Sequence, residues 1–332
     1  MEQDYLLYDI SKDQHAKVQS SNLNEELGVV QYIFSDKTGT LTQNVMEFKK
    51  FSAGSFSYGK SHPAPQTYEP GLTNVNFEDE TFWQHWTDEN HSQHKHLYRF
   101  IECLAICHTV IAEKKIVKGQ ECLIYNASSP DELALVNGMR YFGFEFRDRD
   151  EDNNVVIDVK RTKEVLHYKV LHILEFNSDR KRMSVIVKTS DDRIMLVCKG
   201  ADSIINQRLA TGQEYLELTN RNLAEYAEVG LRTLLIAYRY IDPSYYQEWF
   251  DRYTQAATST HNREKMIDAL AEEIEVELEL AGCSAIEDKL QDQVGLTIKD
   301  IRATGIKVWV LTGDKVETAI NIGQSCQLLT KE

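Results

Sequence analysis

The sequence predicts a parallel α/β sheet that is split by a large α+β insertion with an antiparallel sheet of its own. The first observation is a β-branched and aromatic run at 29–34, which reads as a buried strand and stops in a polar, Gly-containing loop at 35–40. The second is a near-mirror of it late in the chain. There, 294–303 has helical apolar spacing, Gly305 breaks it, and 306–311 reads as a strand ending at Thr312, Gly313 and Asp314. A further helix follows, carrying Val316, Ala319, Ile320 and Ile322. Helix, strand, Gly-bearing loop, helix is the pattern of a parallel sheet, and ligands bind such sheets at the carboxyl ends of the strands. Both polar loops sit at such an end. The third observation is the different character of everything between, which places domain limits at 1–47, 48–282 and 283–332.

Within the insertion, 52–96 is rich in Ser, Pro, Asn and His, with Pro63, Pro65 and Pro70, and reads as a long surface excursion. Helical spacing follows at 97–111 through Phe100, Ile101, Leu104 and Ala105, and again at 129–142. Strand-like runs occupy 166–176, 183–188 and 194–199; 221–229 is helical and 233–240 strand-like. The stretch 262–280 is ambiguous, because Ile274, Val276, Leu278 and Leu280 alternate with Glu while 266–271 is helix-like. No internal repeat is present.

The composition bounds the function. The chain has 332 residues, 42% hydrophobic and 27% charged, enough for a sizeable core. A net charge of −15 and a pI near 5.2 argue against a nucleic-acid partner, and any anion site must be a local basic pocket. The six cysteines form no C-x-x-C pair, which favours reduced thiols in a cytosolic compartment over a disulfide framework. No apolar run approaches the roughly 18–20 residues that cross a bilayer. The start, Met1-Glu2-Gln3-Asp4-Tyr5, lacks the basic flank and apolar core of a signal peptide.

The string Asp36-Lys37-Thr38-Gly39-Thr40-Leu41-Thr42 behind a strand is the most specific chemical signal. An aspartate is ionised at neutral pH and can attack phosphorus without a general base. Its difficulty is charge repulsion, which a divalent ion and the N–H groups of a Gly loop relieve. The plainer reading is a helix N-cap. Thr312-Gly313-Asp314-Lys315 offers a hydroxyl, a Gly N–H and a helix amino terminus, an anion site whose geometry also serves capping.

In the insertion, Phe176 is either a core strand residue or a stacking platform, and the following Arg180-Lys181-Arg182 favours a nearby anion; Ser178 is a weaker candidate. Lys199, before Gly200, reads as surface on its own. The planar guanidinium of Arg232, after Gly230, suits phosphate. Glu132 is accounted for by a helix start with Ser129 as cap and Pro130 at the first position. His85, His91, His94 and His96 with Cys103, Cys107 and His108 do not have zinc-ligand spacing, and the Glu-rich 272–279 run reads as a solvated face.

Taken in order, these motifs resemble the P-type ATPases, whose phosphorylated aspartate lies in Asp-Lys-Thr-Gly-Thr within a haloacid-dehalogenase-like fold. The set Ser128-Ser129-Pro130-Asp131-Glu132, Phe176 to Ser184, Cys198 to Asp202 and Asn22 to Gly28 looks like type IV, the phospholipid flippases. The resemblance implies that Asp36 accepts the γ-phosphoryl group of ATP, with Mg2+ on Asp36 and the Thr38 carbonyl. It puts Thr38 where related phosphatases carry an acid/base aspartate, so the phosphoenzyme should persist. It implies nucleotide or phosphate contacts at Lys37, Thr38, Glu132, Phe176, Ser178, Lys199, Arg232, Thr312, Gly313 and Asp314. It also makes 285–291 the return into the phosphorylation domain.

The family's Gly-Asp-Gly-x-Asn-Asp, its actuator Asp-Gly-Glu-Thr and all membrane spans are absent from this sequence. The expectation is therefore a piece of an integral membrane pump, on the cytosolic face of its membrane, that binds ATP or ADP with little or no turnover. Its partners would be the actuator and transmembrane parts of the same pump, phospholipid through that membrane part alone, and an accessory subunit. A soluble phosphatase of the same fold and a non-catalytic nucleotide-binding module stand as alternatives. Neither the lipid nor the organelle is specified, and 60–96 and 242–275 match nothing nameable in the family.

Overall fold

A computed structural model describes residues 8–9, 13–15, 26, 28–60, 68–117, 119–151, 154–259, 262–313 and 316–329; Asp314 lies outside them. The described residues gather into two compact units. One takes in residues up to Leu41, Leu290–Gly313 and those from Gly323 onward; the other takes in Thr42–Lys289 and 316–322.

The larger unit is built on a nine-stranded antiparallel sheet. Its spatial order is Phe56–Tyr58, Thr42–Ala53, Glu279–Leu290, Arg232–Ile241, Ile194–Gly200, Arg182–Lys188, Glu164–Leu174, Asn154–Val159 and Phe144–Arg149. The two middle strands Arg182–Lys188 and Ile194–Gly200 are buried almost throughout. Their sequences are nearly continuous apolar runs because both faces of the sheet are covered. Successive side chains point to opposite faces. Val185, Val187, Met195 and Val197 pack with helices Glu80–Thr87, His94–Ile106 and Pro130–Tyr141. Ile186, Ile194, Leu196 and Cys198 pack with helices Leu216–Glu228, Pro243–Thr258 and Arg263–Ile274. Burial of one Leu- or Phe-sized side chain contributes about 1.5–3 kcal/mol, so each layer is a substantial stabilising element.

Three expectations change. The surface excursion at 52–96 supplies core: Phe77, Phe82 and Trp86 are buried, and the Phe77 and Phe82 rings each lie 5.7 Å from that of Phe51. Its Pro63 and Pro65 lie outside the described residues. The helix predicted at 97–111 ends at Ile106, and Ile111 opens a hairpin, Ile111–Val117 with Gln120–Asn126. The ambiguous stretch resolves into the helix Arg263–Ile274 and the strand Glu279–Leu290. Its alternation at 274–278 is not a burial pattern, since Ile274, Glu275 and Leu278 are buried and Val276 is exposed.

In the smaller unit, Tyr32–Asp36 and Lys307–Leu311 pair in parallel, from Tyr32 opposite Lys307 to Asp36 opposite Leu311. Gly305, at φ 88°, makes the left-handed turn between helix Val294–Ala303 and its strand. The strand expected to be buried is not: Tyr32 is 49% and Phe34 67% exposed, and Trp309 and Leu311 are exposed with them. A two-stranded ribbon, unlike the middle of the large sheet, is not covered on both faces, so alternate residues alone, Ile33 and Ser35 on one strand and Val308 and Val310 on the other, are half-buried.

Candidate functional site

The last residues of the Ile194–Gly200 strand bring a charge into the core. Lys199, on the same sheet face as Met195 and Val197, is 6% exposed. A buried ammonium needs compensation, and Lys199 Nζ donates to Glu132 Oε1 at 2.7 Å and to the Cys107 carbonyl at 2.6 Å. Glu132 stands in the first turn of helix Pro130–Tyr141 and is 7% exposed. Its Oε2 accepts from the Thr109 hydroxyl at 2.8 Å and the Thr109 N–H at 3.3 Å. Burial opposes ionisation of Glu132, but the Lys199 charge and these donors hold its carboxyl below the usual range. Beside it, burial first and Lys199 second push His108 down to about 3. Its Nδ1 accepts from the Val110 N–H at 3.2 Å, so the neutral ring keeps its proton on Nε2, which bonds the Ala105 carbonyl at 3.0 Å.

This pair forms one wall of a cleft of about 510 Å³. Phe176 lines it from just beyond the end of strand Glu164–Leu174 and is 62% exposed. Leu135, Met183 and Leu234 give the cleft an apolar floor on which a flat ring can lie. Arg232, at the first residue of its strand, lines it too and donates to Asp131 Oδ1 at 3.1 Å. That exposed contact leaves the guanidinium little committed.

Four predicted residues distant in sequence thus meet at one cleft. Phe176 is not a core residue, because its strand stops at Leu174. Lys199 is not surface, and Glu132 is more than a first-turn acid; the expected cap, Ser129, makes no side-chain cap bond. Ser178 is exposed and does not line the cleft.

In the smaller unit, Asp36 is exposed at the end of its strand. Its register partner Leu311 immediately precedes Thr312 and Gly313, both exposed. Paired strands lie about 4.8 Å apart, so the two polar loops leave the sheet side by side. After Asp36, Thr38 (φ −76°, ψ 124°) and Gly39 (φ 76°, ψ −5°) have the angles of a type II turn, which requires Gly at its third position. A Cβ on Gly39 would meet nothing within 4 Å, so the requirement is purely conformational. Lys37 is buried and Thr38 exposed. The chain leaves helical geometry at Thr38 and Gly39. Among the described residues, no three or more His, Cys, Asp or Glu side chains cluster as metal ligands.

The sequence profile of the family described as P-type ATPase, cytoplasmic domain N, matches residues 96–293. The chain belongs to the P-type ATPases. It is 44% identical to phospholipid-transporting ATPase IC of Xenopus tropicalis over 98% of this chain and 26% of that protein. It is 44% identical to human phospholipid-transporting ATPase ID, over 99% of this chain and 28% of that protein. Against phospholipid-transporting ATPase DRS2 of Saccharomyces cerevisiae it is again 44% identical, over 98% and 24%. The chain therefore spans roughly a quarter of the length of these curated relatives.

In this P-type ATPase chain the sequence reading missed two cleft residues. Thr109 holds the second oxygen of Glu132, but it falls beyond the helix His94–Ile106, where no pattern marks it. Asp131 pairs with Arg232 across 101 residues of sequence. The basic run was expected at the anion site; Arg180 and Arg182 instead turn to the other sheet face, where both donate to Glu275. Glu275 is fully buried, so the Glu-rich run is not a solvated face throughout. No helix among the described residues is long and apolar enough to cross a membrane.

Proposed function

We propose that this chain is the ATP-binding and phosphate-accepting part of a phospholipid-translocating P-type ATPase, lying at the cytosolic face of its membrane. The observation that carries the reading is the convergence of Glu132, Phe176, Lys199 and Arg232 on one cleft with an apolar floor and a buried cation. Adenine stacks on the Phe176 ring, whose exposed face is otherwise unexplained. Lys199 and Arg232 supply the local positive charge that an acidic chain lacks elsewhere. Lys37, Thr38, Thr312, Gly313 and Asp314 would line the path of the transferred phosphoryl group.

Asp36 is the acceptor. Its carboxylate oxygen forms a bond to the γ-phosphorus while the bond from phosphorus to the β–γ bridging oxygen breaks, and ADP leaves with that electron pair. The smaller unit resembles the start of a haloacid-dehalogenase-like domain, divided by the inserted nucleotide-binding domain. The exposed Asp36 carboxylate and the Thr38 carbonyl suit a hard cation that keeps most of its waters, so they would hold Mg2+. When bound, the ion supplies positive charge against the repulsion between carboxylate and phosphate. Position 38 carries no carboxylate to activate water, so the acyl phosphate persists and steady turnover is low.

Incubation with Mg2+ and γ-labelled ATP should transfer label to the wild-type chain and none to Asp36→Asn, with phosphate release near background. Sustained phosphate release that Asp36→Asn abolishes would favour the soluble phosphatase instead.

A further inference from the structure

Phe176 projects from a short loop with its ring mostly exposed, so what fixes the ring over the cleft is the backbone of that loop. The backbone is clipped from behind. Arg180 Nη1 donates to the Glu175 carbonyl at 2.9 Å, on one side of Phe176. The Arg180 N–H donates to Asn177 Oδ1 at 2.7 Å, on the other side. Lys181, in the left-handed region at φ 52°, closes the turn by donating its N–H to the Asn177 carbonyl at 2.9 Å. Its own carbonyl accepts from the Ala201 N–H at 3.0 Å, tying the loop to the strand end that carries Lys199. The close approach explains Gly200: a Cβ there would fall 2.7 Å from the Lys181 carbonyl oxygen and 2.6 Å from Arg182 Cβ.

The clip has its own anchor. Glu275, fully buried, caps the carboxyl end of helix Arg263–Ile274. Its Oε1 accepts from Arg180 Nη2 at 2.5 Å and from Ser184 Oγ at 2.5 Å, and its Oε2 accepts from Arg182 Nε at 2.6 Å. Glu272, one turn earlier, takes Arg182 Nη2 at 2.6 Å and also Arg208. Both carboxylate oxygens of Glu275 are used, and one of them holds the residue that brackets Phe176. Each arginine gives Glu275 one charge-assisted N–H and spends a second on another acceptor, and such bonds are about twice as strong as neutral ones.

From this chain of contacts we infer that Glu275 is a positioning residue for nucleotide binding. It holds the Phe176 platform over the cleft through Arg180, from the sheet face opposite Lys199. This gives the end of the otherwise unassigned 242–275 segment, at Glu272 and Glu275, a role as back support of the cleft. The inference rests on the reading of the cleft as a nucleotide site.

The test is a double-mutant cycle on the full 332-residue chain, read by calorimetric titration with ADP. Glu275→Gln keeps the shape of the side chain but removes the charge that anchors Arg180. It should weaken ADP about tenfold in the wild-type background, in the range of coupled neighbours, and change affinity little once Phe176→Ala has removed the platform. Arg180→Lys keeps a charge on Glu275 but cannot also hold the Glu175 carbonyl. It should show the same dependence on Phe176, and it carries the test if Glu275→Gln does not fold. Equal weakening in both backgrounds, or unchanged ADP affinity in both variants, overturns the positioning role while leaving the cleft assignment intact. A wild-type chain that does not bind ADP overturns the cleft assignment and this role together.

Discussion

The two faces of the large sheet each bury charge within two neighbouring strands, yet they use it differently. On one face Lys199 meets Glu132 at the wall of the cleft, which both residues line. On the other, Arg180 and Arg182 close on Glu275 in a cluster that includes Ser184 and Glu272 and lies outside the cleft lining. The two-residue period of the strands decides which is which, sending Lys199 to one side and Arg182 to the other. The pair beside the cleft is the one the proposed nucleotide site uses. A sealed one serves geometry, since replacing such clusters by apolar groups is often neutral but removing one partner is costly.

The largest expected effect separates the two faces by stability. Glu275→Ala strands two buried guanidiniums and should lower the unfolding free energy of the larger unit by about 3–5 kcal/mol, measured by urea denaturation. Phe176→Ala, which removes a mostly exposed ring, should change it by no more than about 0.5 kcal/mol. A small loss in Glu275→Ala would mean that the sealed cluster is not structural.

A second effect is pH dependence, which belongs to the open face. His108 is held down to about 3 and Glu132 below its usual 4.5, so on acidification the unfolded chain takes up each proton first. Both contributions are full at neutral pH. That of His108 is lost as pH falls from near 6.5 towards 3, and that of Glu132 as it falls below about 4.5, with a slope of up to about 1.4 kcal/mol per pH unit per proton. Lys199→Met should flatten this acid limb in part, because the charge that holds Glu132 down and adds to the effect of burial on His108 is gone; Arg182→Met should leave its onset in place. Urea unfolding at a series of pH values distinguishes them.

The smallest effect concerns Ser178. It is exposed and off the cleft, so Ser178→Ala should leave both stability and ADP affinity within about 0.5 kcal/mol of wild type.

The same contrast explains what the sequence made legible. The strands at 183–188 and 194–199 were readable because burial on two faces produces unbroken apolar runs. The loop after Asp36 was readable because a type II turn demands Gly39. The cleft was only half readable: local pattern assigned Phe176 to a core strand and Lys199 to the surface. Each is decided by a partner far away, Lys199 by Glu132 and the Phe176 loop by Glu275, 95 residues beyond Arg180. Glu275 sits in a run of acids where nothing local distinguishes the one that faces inward. The excursion at 52–96 misled for a similar reason, since Phe77, Phe82 and Trp86 are scattered among polar residues without a clean period.

The central claim is that the cleft holds a nucleotide between the Phe176 ring and the Lys199 charge. Calorimetric titration of ADP into the wild-type chain, Phe176→Ala and Lys199→Met tests it most directly. The account predicts saturable one-to-one binding by the wild type, about tenfold weaker in Phe176→Ala and weaker still in Lys199→Met. Binding of equal strength in all three proteins, or none in the wild type, would contradict it.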